Sequence, residues 1–170
     1  LRGVPDGKRQ ILQYIREQTG DMFFLLCHGD ATLGIPDGST MQEVCFRLAD
    51  EPQAVKAERA LDVEAKLAAA EEWARAGLLD GFALCTDYCF NTGPFLSPAQ
   101  FSEFVTPFLE RLIQGYRDMG FFVIKHTDGN IMPLIDMIID AGVDALNPLE
   151  PAAGMDIGLV KQRYGDRIAI

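Results

Sequence analysis

Short runs in which every position is apolar alternate along this chain with longer stretches whose apolar residues recur at helical spacing. Ile11, Leu12 and Ile15, set among charges, predict an amphipathic helix over 6–18, closed by Gly20. Residues 22–27 are short and continuously apolar, as a strand covered on both faces should be. The polar His28, Gly29 and Asp30 follow at once. Thr40, with Glu43 three positions on, carries a capping-box signature for a helix to about residue 48. Pro52 separates it from a long helix over 54–76, rich in Ala, Glu, Lys and Leu, which Gly77 ends.

The pattern repeats downstream. Residues 81–86 form the next apolar strand, followed by Asp87, Tyr88 and the turn-rich stretch 91–94. Ser97, Pro98 and Gln100 read as N-cap, first-turn proline and capping partner of one helix carrying Phe101, Phe104, Val105, Phe108, Leu109 and Leu112 on a stripe. A third strand over 121–124 runs into Lys125, His126, Thr127, Asp128, Gly129 and Asn130. A helix over 131–141 closes at Gly142, a fourth strand spans 143–146, and a helix around 156–162 leads to a fifth strand from Arg167.

Strands alternating with helices, and apolar on both faces, imply parallel pairing through right-handed crossovers. Each strand ends in polar residues, and no glycine-rich phosphate loop follows any of them. That favours a barrel, which gathers its site on the C-terminal rim, over an open doubly wound sheet with its site at one switch point. The expected class is α/β: a partial (β/α)8 barrel over 1–170, cut at both ends, since the chain opens at Leu1 without Met and stops inside an apolar run at Ile170. Such a fragment exposes strand edges and is expected to aggregate or form a homodimer.

Charge narrows the partners. The net charge of −10, from 15 Lys plus Arg against 25 Asp plus Glu, repels phosphate backbones and anionic membranes. With no basic stripe, signal peptide or bilayer-length apolar run, a cytoplasmic protein acting on a small-molecule substrate is expected, without nucleic acid or membrane. Cys85 and Cys89 read as reduced thiols at a strand end rather than as half of a structural zinc site.

The candidate chemistry sits at the strand ends. His126 and Asp128 are two apart, so a strand end can aim both at one point, as metal ligands or as an oriented base. The bland alternative is that Asp128, Gly129 and Asn130 simply form the turn into the next helix. Asp87 is a carboxylate at the barrel mouth or else a cap, and His28 lines the same pocket or is structural. Asn147 and Glu150 close the fourth strand, with Glu150 set between Leu149 and Pro151. Lys125, opposite His126 in the strand alternation, is expected to face the helices and reach water past them.

Taken together, Asp87-Tyr88, then 91–98 (Asn-Thr-Gly-Pro-Phe-Leu-Ser-Pro), then 126–130 (His-Thr-Asp-Gly-Asn) and 142–151 (Gly-Val-Asp-Ala-Leu-Asn-Pro-Leu-Glu-Pro) resemble the uroporphyrinogen decarboxylase superfamily, in its order and from about residue 21 onward. The resemblance implies a (β/α)8 barrel about twice this length, with its active site in the mouth. It also implies one of two chemistries. Corrinoid-linked methyltransferases use a zinc held by a His-x-Cys pair, and receive or deliver the methyl group through a corrinoid carried by a partner protein. The porphyrinogen decarboxylases use no cofactor and rely on a carboxylate. Here His126-Thr127-Asp128 stands at the His-x-Cys position with Asp for the thiolate, which makes the donor set richer in oxygen, and Glu150 is an additional candidate ligand. On this reading His28, Tyr88, Asn91, Asn130, Asn147 and Glu150 contact substrate, and Asp87, His126 and Asp128 are catalytic. Neither the arginine-rich N-terminal segment nor the Phe-Asp-Ser-Trp-Ala-Gly run of the decarboxylases is visible in these residues, Cys85-Thr86-Asp87-Tyr88 standing in place of the latter. The expectation therefore leans to the methyltransferase-like branch, with a small methylated substrate.

Overall fold

Each apolar run lies beside the run that follows it in sequence, and all point the same way. The computed structural model describes residues 6–170, so Leu1 lies outside it. Its strands are β1 (Leu26–His28), β2 (Gly81–Cys85), β3 (Cys89–Phe90), β4 (Gly93–Pro94), β5 (Phe122–His126) and β6 (Ala145–Asn147). The main sheet has the order β1-β2-β5-β6, every pair parallel, while β3 and β4 form a small antiparallel hairpin. A parallel bridge between Ala145 and Ala169 begins a further strand beyond β6. The order never reverses, so there is no switch point of the doubly wound kind. Stepwise growth in one direction is the arc of a (β/α)8 barrel.

The connecting helices are α1 (Asp6–Thr19), α2 (Met41–Asp50), α3 (Pro52–Ala76), α4 (Pro98–Phe104), α5 (Thr106–Asp118), α6 (Ile135–Asp140) and α7 (Ile157–Tyr164). Phe82 stacks on Tyr116 of α5 with ring centroids 4.2 Å apart, which identifies the helical side of the sheet. Phe82, Leu84 and their register partners Val123 and Lys125 point to that side and are buried. The opposite face carries, in register, His28 beside Ala83 and Ile124, then Cys85, His126 and Asn147 in one row. His28, Cys85 and Asn147 are exposed and His126 is half-exposed.

Local signals held where the turn chemistry was complete. Ser97 and Gln100 form the reciprocal capping box, with Pro98 in the first turn of α4. Gly77 closes α3 in the left-handed region at φ 62. Elsewhere prolines redraw the boundaries. The single helix expected from Ser97 is two, broken at Val105, because Pro107 has no N–H to continue the ladder and instead sits in the first turn of a new helix. Pro133 likewise confines α6 to Ile135–Asp140. Thr40 is an N-cap without the expected box, its hydroxyl donating instead to the Asp37 carbonyl. β1 starts later than its apolar run, because Leu25 N–H is already taken by the Asp80 carboxylate and β2 begins at Gly81.

Lys125 corrects the sequence reading outright. It does face the helical layer, but it does not reach water: its side chain is 0% exposed. Its Nζ donates to Asp30 Oδ2 at 2.9 Å and to the Thr86 carbonyl at 2.8 Å, and lies 4.1 Å from the centroid of the Tyr88 ring. Burial works against the Asp30 carboxylate, but the charge of Lys125 and the hydrogen bonds from Lys125 and Thr32 outweigh it and hold its pKa below the usual value. Burial pushes the Lys125 ammonium down, with Asp30 opposing it.

A carboxyl lowered in the folded state contributes stability above its unfolded pKa of about 3.9 and loses it as pH falls through the folded value. Lys125→Met leaves Asp30 buried without a cation and should cost about 3–5 kcal/mol near neutral pH. In that variant burial is opposed only by the hydrogen bonds from Thr32, so the Asp30 pKa rises relative to wild type. The gap to wild type should therefore narrow as pH drops toward about 4 and below. Urea unfolding across that range checks this. A gap that does not change with pH would contradict the pairing.

Candidate functional site

Parallel register decides which side chains meet. Cys85 and His126 are direct partners on β2 and β5, so the residues two beyond each, Asp87 and Asp128, leave the sheet side by side at its C-terminal edge. Asp87 Oδ1 accepts the Asp128 backbone N–H at 2.9 Å. His126 Nε2 lies 3.8 Å from Asp128 Oδ1, the two side chains being 39% and 52% exposed. One ligand atom from each of Asp87, His126 and Asp128 lies within 4.8 Å of the others. An imidazole and two carboxylates at that spacing can hold one divalent cation and leave positions open to solvent or substrate.

Glu150, expected as a third ligand, is turned to another task. Its Oε2 accepts the Gly129 N–H at 2.9 Å, tying the segment after β6 to the one after β5, and Asp87 is the carboxylate that completes the convergent group. Gly129 suits this junction for two reasons. Its φ of +84 favours glycine, and a β-carbon there would collide with the Cys89 backbone carbonyl.

The remaining expected residues separate into two sets. His28 and Asn147 stand on the open face, Asn147 in the row of His126 and His28 one pleat lower on the far strand, about 10 Å across two strand spacings. Asn91 is exposed in the turn between β3 and β4. Asn130 is a turn residue, its Oδ1 accepting Met132 N–H at 3.2 Å and its own N–H bonded to the Phe90 carbonyl at 3.0 Å. Tyr88 does not stand on the open face at all. It is 3% exposed, packs edge-on against Phe101, and shares a 2.7 Å hydrogen bond with the Thr32 hydroxyl. Burial, reinforced by the charge of Asp30, pushes its phenol well above the ordinary value, so it stays neutral. As the first residue after Asp87, it takes the opposite side of the chain.

Neither thiol near the rim joins the group. Cys89 is buried, and burial with the nearby Asp87 charge pushes its pKa up to about 12. Burial also raises Cys85, whose thiol lies on the open face. Sequence reasoning missed what lies beneath: Asp30, Thr32, Lys125 and Thr127. Thr127 is fully buried, accepting Tyr88 N–H at 3.1 Å and donating its own N–H to the Asn147 carbonyl at 3.1 Å. The available signal was a lysine inside a strand otherwise apolar up to the site histidine.

Among the described residues no helix is long and apolar enough to cross a membrane. A direct sequence comparison with curated proteins gives no match. The solved structure of a methyltransferase from Methanosarcina mazei superposes with a TM-score of 0.74 at 17% identity, covering 94% of this chain and 45% of that one. The chain thus spans less than half of that methyltransferase, and at this identity the likeness establishes the fold. Residues 69–170, which include the whole Asp87–His126–Asp128 group, match the family described as Uroporphyrinogen decarboxylase (URO-D). The chain belongs to the uroporphyrinogen decarboxylase family.

Proposed function

We propose that this chain carries the metal-holding half of a methyl-transferring enzyme of the corrinoid-dependent type, acting on a small methylated substrate. The observation that supports this best is the convergence of Asp87, His126 and Asp128 at the C-terminal edge of the sheet. His126 would supply the imidazole donor, Asp128 and Asp87 one carboxylate oxygen each, and zinc is the ion we assign. Bound there, the ion would supply Lewis acidity toward a thiol or a methyl donor. Asp87 has a second duty: by accepting the Asp128 N–H it fixes the turn from which Asp128 reaches back toward His126. His28 and Asn147 are the polar groups on the open face that would orient a small substrate, with Asn91 at the margin. The corrinoid would be carried by a partner protein.

Metal analysis of the full chain tests the reading. Wild type should retain about one zinc per chain, as three protein ligands and an open position require. His126→Ala should lose it, and Asp87→Asn should weaken binding at least about 10-fold. Retention of the metal by His126→Ala, or no stoichiometric zinc in wild type, would reject it.

The family match supports a second reading, in which Asp87 stabilises charge during decarboxylation of uroporphyrinogen or a related carboxylated substrate, with no cofactor. Incubation with uroporphyrinogen distinguishes the two. We expect no carbon dioxide release; release at a rate indifferent to chelators and abolished by Asp87→Asn would favour the decarboxylase.

A further inference from the structure

We infer that Lys125 is the positioning residue of this site, a buried ammonium that sets the backbone from which Asp87 and His126 project. The inference rests on the metal reading of Asp87, His126 and Asp128. Lys125 directly precedes His126, and its Nζ holds the carbonyl of Thr86, the residue directly before Asp87. One side chain therefore links the peptide that presents the imidazole to the peptide that presents the carboxylate.

The other contacts show how little freedom that link has. Asp30, the partner of Lys125, is itself held by the N–H of Thr32 at 2.9 Å and its hydroxyl at 2.7 Å. On the far side of the Thr86–Asp87 unit, the Ile35 N–H donates to the Asp87 carbonyl at 2.8 Å. A β-carbon on Gly34 would collide with the Thr86 side chain and the Asp87 carbonyl, so the loop after β1 lies directly against this segment. The Thr86 and Asp87 carbonyls are thus fixed by Lys125 and by that loop, while the Asp87 carboxylate is left to accept the Asp128 N–H.

An aliphatic residue would fill the same space. Val123, two positions earlier on the same side of β5, is such a residue and is fully buried. A buried ion pair rarely stabilises a fold more than well-packed apolar residues, whereas it does impose direction through its hydrogen bonds. The distinctive output of Lys125 is therefore geometric: it aims the Thr86–Asp87 peptide so that three ligand atoms converge.

The test separates aim from stability. Lys125→Met/Asp30→Asn removes both charges, so no unpaired ion is left buried, and it also removes the bond to Thr86. Asp30→Asn alone keeps the ammonium and that bond. In the full chain without metal, backbone amide exchange is followed at Asp128, with Val123, whose N–H is held by Asp144, as an internal control. Zinc affinity is measured in parallel. The double variant should unfold cooperatively, exchange Asp128 about tenfold faster with Val123 unchanged, and bind zinc about 10–100-fold more weakly. Asp30→Asn strands a buried ammonium and should lower global stability, but the exchange of Asp128 relative to Val123 should stay within about twofold of wild type, because the bond to Thr86 remains. A folded double variant with wild-type Asp128 protection and zinc affinity would overturn the inference, reducing the pair to core packing. Should the double variant not fold, a loss of Asp128 protection in Asp30→Asn that exceeds the loss at Val123 would overturn it as well, because the bond to Thr86 would not then be the agent. A wild-type chain that binds no zinc would remove the proposed function, yet Asp128 exchange would still decide the role of Lys125.

Discussion

In a parallel sheet, a side chain's face and height are set by register, and here the pairing of β2 with β5 fixes everything that follows. Leu84 opposite Lys125 puts the lysine under the sheet, and Cys85 opposite His126 puts the imidazole above it. Two residues past this pair both chains have left the ladder, still adjacent, and Asp87 meets Asp128. A slip of one residue would send His126 into the helical layer and lift Lys125 into the open face, since alternation exchanges the faces at every step. The apolar contacts of Phe82, Leu84 and Val123 with that layer resist the slip, so the hydrophobic pattern that builds the arc also sets the site.

Because register comes from hydrophobic alternation, much of the fold could be read from the residues. The apolar runs, the Ser97 capping box and the Gly77 terminator each carry their own local cause, and each appears as expected. The faces of β5 were legible too: His126 and Lys125 do lie on opposite sides. What escaped was long-range. Asp30 and Lys125 are 95 positions apart, so an intrastrand lysine looked like one escaping to water rather than one bound to a buried carboxylate. Tyr88 follows Asp87 in sequence but points to the other side, where Phe101 and the Thr32 hydroxyl, 56 positions away, receive it. Proline effects at Pro107 and Pro133 were local and readable, yet a continuous apolar stripe masked them.

The two faces of the sheet divide the electrostatics. Below, one cation and one carboxylate are matched in a dry environment and fixed by hydrogen bonds. Above, two carboxylates and an imidazole converge with solvent access. In a chain of net charge −10, such a rim draws cations and repels polyanions. The proposed metal reading rests on that contrast: Asp87 follows the strand next to His126, while Glu150 ties the segment after β6 to the one after β5.

The central claim is spatial, so a crystal of the full chain grown with zinc, with anomalous diffraction collected at the zinc edge, tests it most directly. The account predicts one strong peak bonded at about 2.0–2.2 Å to His126 Nε2 and to oxygens of Asp87 and Asp128. Electron density in which the Asp87 carboxylate points away from His126, or a zinc peak that engages none of the three side chains, would contradict it.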